Sequence, residues 1–136
     1  MIVDLISFAF SKNDTPDANY LVDVRFLNNP FYVEKLRSQT GLDSDVINFF
    51  INDAGTKRFL KELCSWIEYI VGVNKKATKE KLIIAFGCTG GQHRAPYIAE
   101  SLAKYLINKK LIRELSVYHR ELKKYNILEV LQSSSC

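Results

Sequence analysis

The stretch that most limits what this chain can become runs from Leu82 to Arg94: Leu-Ile-Ile-Ala-Phe-Gly-Cys-Thr-Gly-Gly-Gln-His-Arg. A buried-type apolar run passes into three glycines, and a His-Arg pair then opens a long helical pattern. Strand, glycine turn and helix, in that order, is how α/β proteins build an anion site. Free N–H groups at the helix start point one way, and the helix dipole adds positive potential there. Glycines let the main chain turn at positive φ and come close to a ligand. Arg94 has the fork to clamp a phosphate or carboxylate, and His93 adds a titratable donor.

The rest of the chain supports an α/β reading. Ile2 to Phe10 is β-branched and aromatic enough for a strand, and Ser11 to Asn19 is a polar, turn-rich loop. Tyr20 to Phe26 resumes strand character with Asp23 and Arg25 on one face, either a salt-bridged edge or part of a site. Leu27 to Pro30 stops it, and Phe31 to Gln39 holds a short helical pattern. Asp43 or Ser44 suits the cap of a helix carrying Val46, Ile47, Phe50 and Ile51, which Asn52 to Thr56 breaks. The clearest periodicity spans Lys57 to Val71, where Phe59, Leu60, Leu63, Cys64, Ile67, Ile70 and Val71 form one apolar face and Gly72 stops the helix. Val73 to Lys81 reads as a solvated connection. After the glycine turn, Pro96 suits a first helical turn and Lys109-Lys110 a last one. Leu115 to Tyr118 reads as a last strand and Asn126 to Gln132 as a short terminal helix. The expectation is a roughly four-stranded mixed or parallel sheet flanked by helices.

With 136 residues, one domain over 1–136 is the natural reading, with room for a real core. No apolar run approaches the ~20 residues of a membrane span, and the N-terminus lacks the basic region of a signal peptide. Cys64, Cys88 and Cys136 are odd in number and lack C-x-x-C spacing. They argue against a disulfide framework or structural zinc and fit a reducing cytoplasm. A net charge of +4 permits anionic partners without demanding nucleic acid. No metal or cofactor is expected.

The glycine turn fails the usual nucleotide patterns. Counted from Gly87, the second glycine of a P-loop falls on Gln92 and its lysine on His93, and no G-x-G-x-x-G is present. It does satisfy Cys-x5-Arg with Cys88 and Arg94, the spacing of a phosphatase loop with a thiolate nucleophile. The turn supplies Gly87 where that loop has histidine before the cysteine, and Ala95 where it has a hydroxyl after the arginine. Arg94, His93, Arg25, Arg37, His119 and Arg120 are candidates to converge on one anion, since several of them stand at or just beyond expected strand ends. A weaker possibility is RNA contact through Lys109, Lys110, Arg113, Lys123 and Lys124.

These blocks resemble a known family. Ser7-Phe8-Ala9-Phe10, Asp23-Val24-Arg25-Phe26-Leu27-Asn28-Asn29-Pro30, Leu36-Arg37, Thr40-Gly41-Leu42-Asp43 and Gly87 to Arg94 are similar to the C-terminal domain of the RNase adapter protein RapZ. Tyr97-Ile98-Ala99-Glu100 and His119-Arg120-Glu121-Leu122 extend the likeness from about residue 4 to 122. The resemblance implies an α/β domain like a phosphofructokinase subdomain, without catalysis. It implies a sensor that binds glucosamine-6-phosphate, contacts small regulatory RNAs, presents them to an endoribonuclease and contributes to homo-oligomers. By the same resemblance the ligand site would use Thr89, Gly90, Gly91, His93 and Arg94, with Asp23, Arg25 and Asn28 beside it and Arg37, His119 and Arg120 as further members. Three departures stand out. The family's N-terminal P-loop domain is not in this sequence, so ATP or GTP binding is not implied. The chain also has Ala95-Pro96 where the family has Ser-Val, and beyond Lys123 and Lys124 its tail is apolar and serine-ended rather than basic.

Overall fold

The computed structural model describes residues 1–129. Five strands and three helices follow one another as β1 (Ile2–Ala9), β2 (Tyr20–Asp23), α1 (Ser44–Ile51), α2 (Ala54–Lys76), β3 (Lys81–Cys88), α3 (Arg94–Asn108), β4 (Glu114–His119) and β5 (Lys124–Glu129). The sheet order is β2-β3-β1-β4-β5. The first four strands in that order run parallel, and β5 adds an antiparallel edge.

Strand alternation assigns the two faces. Val3, Leu5, Leu82, Ile84, Phe86, Leu115 and Val117 share one face and are fully buried. All three helices contribute to the same cluster, with Val46 and Phe50 from α1, Leu63, Ile67 and Val71 from α2, and Ile98, Leu102 and Leu106 from α3. The opposite face stays open in its lower half, where Ile2, Tyr118, Tyr125 and Ile127 are exposed around an Asp4 held by Lys81 at 3.0 Å and Ser116 at 2.6 Å. Its upper end is closed by Phe8 and Phe10, which fill the space beside Gly87. The handedness of parallel connections explains the one-sided layering: β2 to β3 and β3 to β4 step the same way across the sheet, so their helices fall on one face.

Several expected boundaries move. Strand β2 ends at Asp23 rather than Phe26, because the Asp23 carboxylate takes the Arg25 N–H at 2.9 Å and turns the chain. The segment after Asn29 forms two 3-10 turns, Pro30–Tyr32 and Glu34–Leu36, instead of one helical stretch. Helix α2 starts earlier, where the Asp53 carboxylate accepts both the N–H and the hydroxyl of Thr56. It also runs through Gly72 to Lys76, since one glycine in a long packed helix costs only about 1 kcal/mol. The expected terminal helix from Asn126 is instead strand β5, and Val130 to Gln132 lie outside the described residues. Lys124 to Ile127 alternates polar and apolar residues, and the free edge of β4 offers it a ladder, so the sheet wins over local helix propensity. Among the described residues no helix is long and apolar enough to cross a membrane.

Candidate functional site

The carboxyl ends of β2 and β3 open into a cleft of about 640 Å³. One wall is the segment after β2, with Arg25, Leu27, Asn28, Asn29, Phe31 and Tyr32; the other is the turn from β3 into α3, with Cys88, Thr89, Gly90, Gln92, His93 and Arg94. No carboxylate is among these lining residues. The turn itself is built by one glycine: Gly91 adopts φ 64°, the left-handed region, while Gly87 lies within β3 opposite Phe8. Among the described residues, the main-chain N–H groups of Thr89, Gly90, Gly91, Gln92 and His93 donate to no protein acceptor. The next amide, Ala95 N–H, reaches the Cys88 sulfur at 3.4 Å. A row of unpaired amides at a helix start, beside a cleft without acids, is an anion cradle in waiting.

Arg94 is the first residue of α3 and only 6% exposed. Its Nη1 donates to the carbonyls of Arg25 at 2.5 Å and Leu27 at 3.3 Å, and Nη2 reaches the Thr89 hydroxyl at 3.5 Å. The guanidinium therefore ties the two walls together and presents one edge to Thr89. Arg25 is committed differently, in a forked pair with Asp23 whose shortest contact is 2.7 Å. That pair holds the Asp23 carboxyl below its ordinary range, and Arg25 also lies 4.1 Å from the centre of the Phe10 ring. Both side chains are half exposed, so the pair adds little to stability. Asp23 and Arg25 thus form an ion pair and stand beside the cleft at once.

His93 is buried, and its Nε2 lies 3.0 Å from the Leu36 carbonyl. A carbonyl only accepts, so Nε2 carries the proton. Burial pushes the imidazole below its ordinary value of 6.5, and nearby Arg94 also pushes it down, against the pull of the Leu36 and Gln39 carbonyls. A depressed native pKa means that the unfolded chain takes up the proton first as pH falls. Stability is therefore complete above the unfolded value of 6.5 and declines as pH drops below it. Urea midpoints measured from about pH 8 to about pH 5 are expected to fall through this window, with a shallower fall in His93→Gln, which keeps a donor for Leu36.

The other expected residues divide cleanly. Asn28 lines the cleft while its amide donates to Asp53, the cap of α2, at 2.8 Å. Gly91 makes the turn but does not line the cleft. Arg37 lies outside the cleft, stacked 5.0 Å from the centre of the Phe31 ring and bonded to the Phe31 carbonyl. His119 and Arg120 do not join the cleft, because β4 lies on the far side of β1 from β3. His119 is buried between Ser7 Oγ at 2.7 Å and Glu100 Oε1 at 2.8 Å, and Arg120 pairs with Glu121 at 2.9 Å. The five basic residues considered for RNA also separate: Lys109, Lys110 and Arg113 precede β4, whereas Lys123 and Lys124 follow it, roughly 17–20 Å away along the strand. Phe31, Tyr32 and Gln92 were not anticipated. Gln92 bonds the carbonyls of Arg37 and Gln39 at 2.8 and 2.7 Å, and its place inside the glycine block was a usable signal. Among the described residues no three His, Cys, Asp or Glu side chains gather as a metal set.

Comparison with known proteins fits this arrangement to a family. The model of the RapZ C-terminal domain matches residues 1–123. The chain belongs to the RapZ C-terminal domain family. A nucleotide-binding protein of Lactobacillus acidophilus is 42% identical over 123 residues, covering 90% of this chain and 41% of that protein. A nucleotide-binding protein of Staphylococcus aureus strain JH9 is 41% identical over 119 residues, covering 88% of this chain and 39% of its own length. This RapZ C-terminal domain thus spans about two fifths of the relatives it matches.

Proposed function

We propose that this domain is a non-catalytic sensor that binds a small phosphorylated ligand, glucosamine-6-phosphate or a close analogue, in the cleft between Arg25–Tyr32 and Cys88–Arg94. The observation that carries the reading is the run of amides from Thr89 to His93 without protein acceptors, in a turn whose Thr89, Gly90, Gln92 and His93 line an acid-free cleft braced by Arg94. Charge-assisted hydrogen bonds to a phosphate are each worth roughly 1.5–3 kcal/mol. A few of them give micromolar affinity, about 8 kcal/mol, after the costs of association. The relatives' names, nucleotide-binding proteins, agree with a phosphate-bearing ligand. Contact with small regulatory RNA, delivery to an endoribonuclease, self-assembly and a cytoplasmic setting belong to the same reading.

Calorimetric titration tests it. Glucosamine-6-phosphate is expected to bind, unphosphorylated glucosamine is not, and inorganic phosphate is expected to compete. Equal affinity for the two sugars would remove the phosphate cradle. One contact favours a second reading as a phosphatase: the Ala95 N–H aimed at the Cys88 sulfur at a helix start. Against it, Arg94 is spent on main-chain carbonyls. Turnover of p-nitrophenyl phosphate that vanishes in Cys88→Ser would establish the enzyme instead.

A further inference from the structure

The turn that joins β4 to β5 reaches behind the glycine turn of the cleft. The Glu121 side chain is 6% exposed, and its Oε2 accepts the Ala9 N–H at 2.8 Å and the Arg120 Nε–H at 2.9 Å. Ala9 ends β1 directly opposite Cys88. A methyl group on Gly91 would stand 2.5 Å from Glu121 Cγ and 3.0 Å from the Ala9 nitrogen. The Glu121 stem therefore packs straight against the Gly91 main chain, with no atom's width between them. Arg120 holds the carboxylate in place: its own N–H donates to the Ser7 carbonyl, its Nη1 to the Asp14 carbonyl, and its guanidinium lies 5.5 Å from the centre of the Phe8 ring. One buried nitrogen of Arg120, Nη2, has no acceptor among the described residues.

We infer that Glu121 is a positioning residue of the anion cleft. It sets the height of the glycine turn from behind, so that the amides from Thr89 to His93 hold one geometry before any ligand arrives. Glu121 itself lines no part of the cleft. Its effect on affinity rests on the phosphate reading of that cleft and follows from preorganisation: a turn that must be ordered on binding spends binding energy on its own ordering. A side chain of the β4–β5 turn thereby acts on a site at the end of β3, two strands away in the sheet.

The test compares wild type with Glu121→Gln, Glu121→Ala and Glu121→Asp. Glutamine keeps the stem and an oxygen for Ala9; alanine removes both; aspartate keeps the charge but draws back the Cγ contact, and it serves where alanine fails to fold. Backbone order parameters from nitrogen-15 relaxation of the ligand-free protein are read at Gly90 and Gly91, with α2 as the reference for general loosening. In Glu121→Ala or Glu121→Asp the order parameter of Gly91 is expected to fall from about 0.85 to below about 0.6 while α2 stays rigid. In Glu121→Gln it is expected to stay high. The Kd values for glucosamine-6-phosphate and for inorganic phosphate should both rise about tenfold in the alanine or aspartate variant, and less than about threefold in the glutamine variant. If wild type binds neither probe yet Gly91 loosens as described, the phosphate reading falls and the positioning role stands. If Gly90 and Gly91 stay as ordered in the alanine and aspartate variants as in wild type, the inference is overturned whatever the affinities.

Discussion

Arg94→Ala is expected to abolish measurable phosphate-ester binding and to lower folding stability by about 3 kcal/mol. The side chain is almost wholly buried at the start of α3, and its fork spans the carbonyls of Arg25 and Leu27 and the Thr89 hydroxyl. Truncation leaves those carbonyls facing a void, and buried acceptors without partners cost about 1–3 kcal/mol each. It also unties the wall carrying Asn28, Phe31 and Tyr32 from the wall carrying Thr89 and Gly90. Arg94→Lys is expected to recover part of the charge but little of the tie, because one ammonium does not reproduce a planar fork. Urea denaturation measures the first effect and calorimetry, on samples shown to be folded, the second. An alanine variant of wild-type stability would mean that the guanidinium is not the rivet described.

Gly41→Ala is expected to be as damaging, although Gly41 lies outside the cleft. A Cβ at this position would stand 2.3 Å from the His93 carbonyl oxygen and 2.8 Å from the Tyr97 nitrogen, both main-chain atoms at the start of α3. Gly41 N–H also donates to the Gln92 carbonyl at 2.8 Å, so the 40–43 turn and the cleft turn are laid one on the other. Backbone cannot swing aside as a side chain can, and overpacking of this kind costs about 3 kcal/mol. Gly72→Ala provides the contrast within one protein. It lies in α2 with open space where a Cβ would go, and alanine there is expected to stabilise by about 1 kcal/mol through helix propensity. Thermal midpoints moving in opposite directions would support both assignments; a neutral Gly41→Ala would contradict the close approach.

What could be seen in advance depended on distance along the chain. The strand, glycine turn and helix from Leu82 onward are a local pattern, and the periodic face of α2 is another, so both were readable. The cleft wall at Thr89 to Arg94 followed with them. The facing wall was only half readable: Arg25 stood out beyond a strand and Asn28 came with the family resemblance, but Phe31 and Tyr32 enter the cleft through the Pro30–Tyr32 3-10 turn, which carries no periodic signal. His119 and Arg120 stand apart from this cleft for a definite reason. Every parallel strand ends on the same rim, so standing at a strand end does not say which side of the sheet's centre a residue occupies. Only the order β2-β3-β1-β4 does, and that order is fixed by packing over the whole chain. Strand β5 was lost because so short an alternation cannot separate a strand from a helical turn without a neighbour to pair with.

Strand β1 is synthesised first yet sits in the middle of the sheet, between β3 and β4. Asp4 meets Ser116 across a separation of 112 positions, whereas β4 and β5 are joined by a short turn and pair locally. Non-local parallel pairing must meet its loop-closure entropy before it is rewarded, which makes it slow. During translation β1 therefore waits with both edges bare until β3 emerges, and with one edge bare until β4 follows. A nascent chain that stalls after α3 still exposes the edge of β1 that β4 later covers, and that bare edge is open to pairing with a neighbouring chain.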